Sequence, residues 1–138
     1  MKYKRILLKL SGEALTGEKS YGLSASSIVF FMEEIRKALE KQVQIAVVIG
    51  GGNIFRGLKG NNMNISRVHG DYMGMLATVI NGLALQSAFE NAGIKCKLLS
   101  GLQINPVCEL TSSSRICKHL EKGEVVIIAG GTGNPFFT

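Results

Sequence analysis

The sequence predicts an α/β fold, a three-layer sandwich around a mostly parallel central sheet. Three observations carry that prediction. Short apolar, β-branched runs alternate with helical stretches along the whole chain. Two of the runs, 45–49 and 125–129, are apolar without alternation, as strands covered on both faces are. Three of the runs end in glycine-rich loops: Lys9-Leu10-Ser11-Gly12, Gly50 to Gly57, and Gly130 to Thr138. In parallel sheets ligands bind beyond the carboxyl ends of the strands. Glycine there lets backbone N–H groups approach an anion, because no Cβ stands in the way.

In chain order, Arg5 to Leu10 reads as a buried strand, and a polar loop follows from Ser11 to Ser24. Ser24 or Ser26 caps a helix running to about Gln42, with Ile28, Met32, Ile35 and Leu39 on one stripe. Glu33 and Lys37 form an i,i+4 pair on its outer side. Ile45 to Ile49 is the second strand. Gly57 to Ile65 has neither period and is expected to be a mobile loop. A long helix runs from Arg67 or Gly70 to Asn91 and stops at Gly93. Its interior glycines each cost up to ~1 kcal/mol relative to alanine, so its small face needs close packing, most simply against another helix. Lys95 to Leu99 is a third strand, Ser112 to Glu121 a serine-capped helix, and Val125 to Ala129 a fourth strand.

The 138 residues form one domain, 1–138, with 46% hydrophobic and 19% charged residues, which excludes a disordered chain. No apolar stretch approaches the ~20 residues needed to span a bilayer, and no signal-peptide core is present, so the expected location is cytoplasmic, with no membrane partner. The net charge of +6 is spread along the chain without interleaved aromatic residues. That argues against a nucleic-acid partner and fits attraction of small anions such as nucleotides. The three cysteines, Cys96, Cys108 and Cys117, are odd in number and lack Cys-x-x-Cys spacing, which disfavours a disulfide framework or a zinc site. His69 and His119 lack ligand spacing, so no protein metal site is expected.

Two nucleotide signatures fail. Gly12 to Ser20 approaches a Walker A loop, but Glu18 separates Gly17 from Lys19. A dinucleotide G-x-G-x-x-G starting at Gly50 would need glycine where Phe55 stands. Lys9 is a cation inside an apolar strand: either an outward edge lysine, or one at the strand end facing phosphate oxygens. Arg56 is either a surface arginine or a fork for a phosphate beside the N–H groups of Gly51 and Gly52. Asp71 is either a helix-start aspartate or an acceptor for ribose hydroxyls.

The segments 4–15 (KRILLKLSGEAL), 47–57 (VVIGGGNIFRG), 70–84 (GDYMGMLATVINGLA) and 131–138 (GTGNPFFT) together resemble the bacterial uridylate (UMP) kinases of the amino-acid-kinase superfamily. The triple glycine alone would fit several superfamily members; Gly-Asp-Tyr-Met-Gly and Asn-Pro-Phe-Phe-Thr point to the UMP branch. The resemblance implies an ATP-dependent nucleoside-monophosphate kinase, giving UDP for pyrimidine biosynthesis. It implies catalytic roles for Lys9 and Arg56, and ATP contacts from Lys9, Leu10, Ser11, Gly12, Gly52 and Arg56. It places UMP on Gly51 and Asp71 and on Gly131, Thr132, Gly133, Asn134, Pro135, Phe136, Phe137 and Thr138. It implies an allosteric GTP-linked segment, Gly17, Glu18, Lys19, Ser20, Tyr21 and Gly22, with UTP as a further effector and a homohexamer built around the long helix. The acceptor phosphate is already ionised, so no general base is required. Magnesium (Mg2+) is expected to arrive with ATP.

The departure from the family is length. Family members continue well beyond Asn-Pro-Phe-Phe-Thr, so a C-terminal part carrying the adenine pocket is expected to be missing, and turnover by these residues alone is doubtful on that expectation. The alternatives are a non-catalytic nucleotide-binding or assembly fragment, and another superfamily kinase with a different acceptor.

Overall fold

The structure, a computed structural model, describes residues 2–56 and 64–138. Among the described residues, five strands and three α-helices follow in the order β1 (Arg5–Leu10), α1 (Ala25–Leu39), β2 (Gln44–Ile49), α2 (Arg67–Asn91), β3 (Cys96–Ser100), β4 (Glu109–Leu110), α3 (Ser113–Glu121) and β5 (Val125–Ala129). One sheet of spatial order β1-β2-β5-β3-β4 contains all the strands, and every pairing is parallel.

Side-chain alternation along the central strands divides the core into two. Ile45, Val47, Ile49, Leu98, Val125 and Ile127 point to one face, where they meet Met32 and Ile35 of α1 and Val79, Leu85 and Phe89 of α2. Ala46, Leu99 and Val126 point to the other and pack with Leu120 of α3. The result is the expected three-layer sandwich. The chain moves outward from β1 through β2 to β3 on the first face, then returns through α3 to lay β5 between β2 and β3.

The helix starts follow the serines. Ser24, Ser66 and Ser112 accept N–H bonds from Ser27, His69 and Arg115. Several details differ from expectation. Helix α1 ends at Leu39 rather than near Gln42, because Gln42 turns the chain at φ 59°. The expected Glu33–Lys37 pair is not formed. Lys37 instead meets Glu34 at 2.6 Å and Arg36 meets Glu33 at 3.6 Å, both one residue closer along the helix. The third strand is shifted by one, from 95–99 to 96–100. A fifth, two-residue strand was unforeseen, and so was a 3-10 turn at Gly12–Leu15, which buries Leu15 completely within the polar loop. The small residues of α2 serve different neighbours: a Cβ at Gly82 would stand 2.6 Å from Leu98 Cδ1 of the sheet, while Ala84 and Ala88 border α1. Of the loop expected to be mobile, residues 57–63 lie outside the described residues.

Candidate functional site

The three glycine loops meet at the carboxyl edge of the sheet. Gly12 and the triple glycine touch directly, since a Cβ on Gly12 would lie 2.8 Å from the Gly52 nitrogen and 2.9 Å from the Gly50 oxygen. The Gly50 N–H donates to the Leu10 carbonyl at 2.9 Å. Leu10 is itself in the core, so only its backbone faces the loop. Gly51 lies against α2, where a Cβ would meet the Gly74 oxygen and the Ala77 Cβ, each at 2.9 Å. Ala77 therefore presents only a methyl group to the loop, and Gly74 meets it through its backbone carbonyl. Gly52 opens toward the Arg56 side chain.

Two buried amides fix this arrangement. Asn53 and Asn81 are 2% and 0% exposed, so every polar atom must find a partner within the protein. Asn53 Nδ2 donates to the Gly22 carbonyl (2.9 Å) and Asn81 Oδ1 (3.0 Å). Asn81 Nδ2 donates to the Gly50 carbonyl and Asn53 Oδ1, both at 2.7 Å. The Gly22 N–H returns a bond to the Asn53 carbonyl at 2.8 Å. The segment from Gly17 to Gly22, in which Glu18, Lys19, Ser20 and Tyr21 are exposed, is thus bolted at its far end to the loop that follows the triple glycine.

Lys9 is exposed near the end of β1, opposite Val48, and β1 is an edge strand of the described sheet. Both residue-based readings of Lys9 fit that position. Ser11 caps the 3-10 turn, its hydroxyl accepting from the Glu13 N–H at 3.3 Å. Arg56 forms an ion pair with Glu13 and donates to the Gly52 carbonyl at 3.3 Å. A carboxylate thus holds the position that an anionic ligand of Arg56 would take.

Asp71 is the fifth residue of α2, one turn in from its start. Arg67 Nε donates to both its oxygens, at 2.9 and 3.1 Å, and the Phe136 N–H donates to Oδ2 at 2.7 Å. The Phe136 N–H is the main reason the Asp71 carboxyl is held below its usual value; desolvation opposes it, and Arg67 adds to the lowering. Phe136 adopts φ 68°, a region costly for a side chain with Cβ, and its bond to Asp71 anchors that conformation. The rest of its loop closes on itself. Thr132 Oγ1 donates to the Phe137 carbonyl (3.0 Å), the Thr132 N–H donates to Thr138 Oγ1 (3.1 Å), and Asn134 Nδ2 donates to the Thr132 carbonyl (3.1 Å). Gly130, Gly131 and Gly133 all have positive φ, and Thr78 Oγ1 accepts the Gly130 N–H at 2.6 Å.

Between α2 and this loop lies a cavity of about 460 Å³, lined in part by Val48, Asp71, Gly74, Thr78, Gly131 and Thr138. That volume is in the range of small-ligand sites. The cavity brings together Asp71 with both ends of the 131–138 segment. Phe136 and Phe137 remain largely exposed. Sequence reasoning missed Glu13, Arg67, Thr78 and Asn81. Only Asn81 carried a signal, a polar amide among the apolar Val79, Ile80, Gly82 and Leu83.

The sequence signature of the Amino acid kinase family matches residues 4–136. The uridylate kinase of Bacteroides thetaiotaomicron is 55% identical over 137 residues, covering 99% of this chain and 58% of that protein. The crystal structure of UMP kinase from Ureaplasma parvum superposes with a TM-score of 0.91 at 36% identity, over 100% of this chain and 58% of that one. UMP kinase from Bacillus anthracis gives 0.92 at 35% identity, over 99% and 56%. An isopentenyl phosphate kinase, at 15% identity and a TM-score of 0.59 over 88% of this chain and 53% of that one, shares the fold. The chain spans little more than half the length of these relatives.

Proposed function

We propose, from the premise that this chain belongs to the amino acid kinase family, that it is the acceptor-binding portion of a UMP kinase, a transferase carrying the γ-phosphoryl group of ATP to UMP. The observation that carries this reading is the cavity shared by Asp71, Gly131 and Thr138, set beside the contact of Gly12 with the triple-glycine loop. A nucleoside held in the cavity would direct its phosphate toward Gly51. ATP phosphates would lie along Lys9, Ser11, Gly12, Gly52 and Arg56. A UMP phosphate oxygen attacks the γ-phosphorus, the bond to the β–γ bridging oxygen breaks, and ADP leaves. Catalysis is then alignment of two polyanions and neutralisation of their charge by Lys9, Arg56 and the glycine N–H groups. Arg56 must first leave Glu13. Magnesium is proposed to arrive on the phosphates of ATP, where it would supply charge neutralisation.

The same reading extends to assembly and regulation. Val68, Tyr72, Leu76 and Ile80 recur every fourth residue as an exposed apolar stripe on α2, which supports a homo-oligomer, proposed as the family hexamer. The segment from Gly17 to Gly22, tied to Asn53, is the candidate for GTP response, with UTP as a further effector. No helix among the described residues is long and apolar enough to cross a membrane; a cytoplasmic location is proposed with the rest.

The test is thermal unfolding of the chain with UMP, CMP and no ligand, beside ADP release from ATP. Ligand at a hundred times its Kd stabilises by about 2.7 kcal/mol, so UMP is expected to raise Tm by several degrees and CMP by less. Equal shifts, or none, overturn the assignment. Where turnover is present, Lys9→Ala is expected to abolish ADP release while largely keeping the UMP-induced shift. Loss of the shift would move Lys9 to the acceptor side.

A further inference from the structure

The Asp71 carboxylate does more than face a cavity: its orientation is set by a neighbour on its own helix. The Arg67 guanidinium reaches both carboxylate oxygens and lies 5.3 Å from the Phe136 ring centre, within cation–π range. The Phe136 N–H completes the cluster on Oδ2. One arginine therefore touches both the carboxylate and the loop that closes over the cavity, although its own side chain is 66% exposed.

We propose that Arg67 is the positioning residue of the nucleoside site, aiming the Asp71 carboxylate at a ribose hydroxyl and clamping the 130–138 loop to the same anchor. The inference rests on the UMP reading and adds to it the residue that sets ribose selection. A carboxylate offers about four lone-pair sites. Arg67 occupies one on each oxygen and Phe136 a second on Oδ2. One site remains, on Oδ1, and a single sugar hydroxyl fits it. Without Arg67 the Phe136 N–H alone holds the carboxylate, through Oδ2, and the direction of the free Oδ1 lone pair is no longer fixed. Lysine does not replace it, because an ammonium lacks the flat face that meets the phenyl ring while one N–H is shared between the two carboxylate oxygens.

The experiment compares the binding of UMP, 2′-deoxy-UMP and 3′-deoxy-UMP by the unmutated chain, Arg67→Met, Arg67→Lys and Asp71→Asn, each checked for folding by circular dichroism. A hydrogen bond to a charged group predicts that the unmutated chain prefers UMP over one deoxy analogue by on the order of ten- to a hundredfold. Arg67→Met is expected to bring UMP and that analogue to nearly equal affinity, as Asp71→Asn does, and Arg67→Lys to recover only part of the difference. If both Arg67 variants weaken all three ligands by one factor and keep their ratio, Arg67 is structural only and the proposal fails. Should Arg67→Met not fold, Arg67→Lys decides: an undiminished ratio overturns the role. Absence of saturable UMP binding by the unmutated chain overturns the uridylate reading itself, and the role of Arg67 with it.

Discussion

At residue scale the site depends on where a methyl group fits. Gly51→Ala drives a Cβ into the Gly74 carbonyl and Ala77, so it is expected to cost about 1–3 kcal/mol and to lower Tm. Gly74→Ala has the opposite sign. Nothing stands within 4 Å of its Cβ position, and helix propensity improves by up to ~1 kcal/mol, but the methyl group enters the cavity. The expected outcome is a higher Tm with weaker UMP binding, measured on the same sample. Asp71 gives the pH dependence. Its carboxyl titrates below the usual value in the folded chain, so its ionised form stabilises the folded state above the ordinary carboxylate range. That contribution fades as pH falls through the lowered value. Tm should therefore drop more steeply on acidification in the unmutated chain than in Asp71→Asn. Lys9, Gly12, Arg56 and Asp71 were legible as candidates because charge and glycine at strand or helix ends are visible in sequence. Glu13 and Arg67 were not, because each acquires its meaning from a partner that the fold brings to it, and their residue types are ordinary for surfaces.

At the scale of elements, the Asn53–Asn81 pair joins three segments: the loop after β2, helix α2 and the turn at Gly22. Asn81→Leu leaves the Gly50 carbonyl and the Asn53 amide buried without their partners, an expected loss of about 1–3 kcal/mol per orphaned group in denaturant unfolding. Proteolysis within the segment from Gly17 to Gly22 should also quicken, since Asn53 no longer holds it as firmly. The helix starts were readable almost to the residue, because the capping serines and apolar stripes that specify them are local, whereas the end of α1 was read about three residues late. Strand β4 was not: Glu109–Leu110 has no internal pattern, and its pairing with Leu99 and Ser100 alone makes it a strand. The 3-10 turn escaped for a related reason. Leu15 is a single apolar residue whose burial is decided by long-range packing.

For the molecule as a whole, burial ranks the cysteines. Burial pushes the Cys96 thiol up to about 11 and raises that of Cys108, whereas Cys117 is half-buried. A thiol reagent at neutral pH is expected to modify Cys117 first and Cys96 only as the sheet opens, which makes Cys96 labelling a reporter of global unfolding. The three layers were legible from alternating runs, but the strand order was not, since nothing local says that the last strand lies in the middle. That position carries a consequence for synthesis. Until β5 is made, β2 and β3 share no backbone hydrogen bond, and the emerging chain holds two separate parallel pairs, β1–β2 and β3–β4. The ribosome must deliver Val125 to Ala129 before either pair gains its neighbour, so the sheet closes as a keystone arch does, from both flanks and at the centre last.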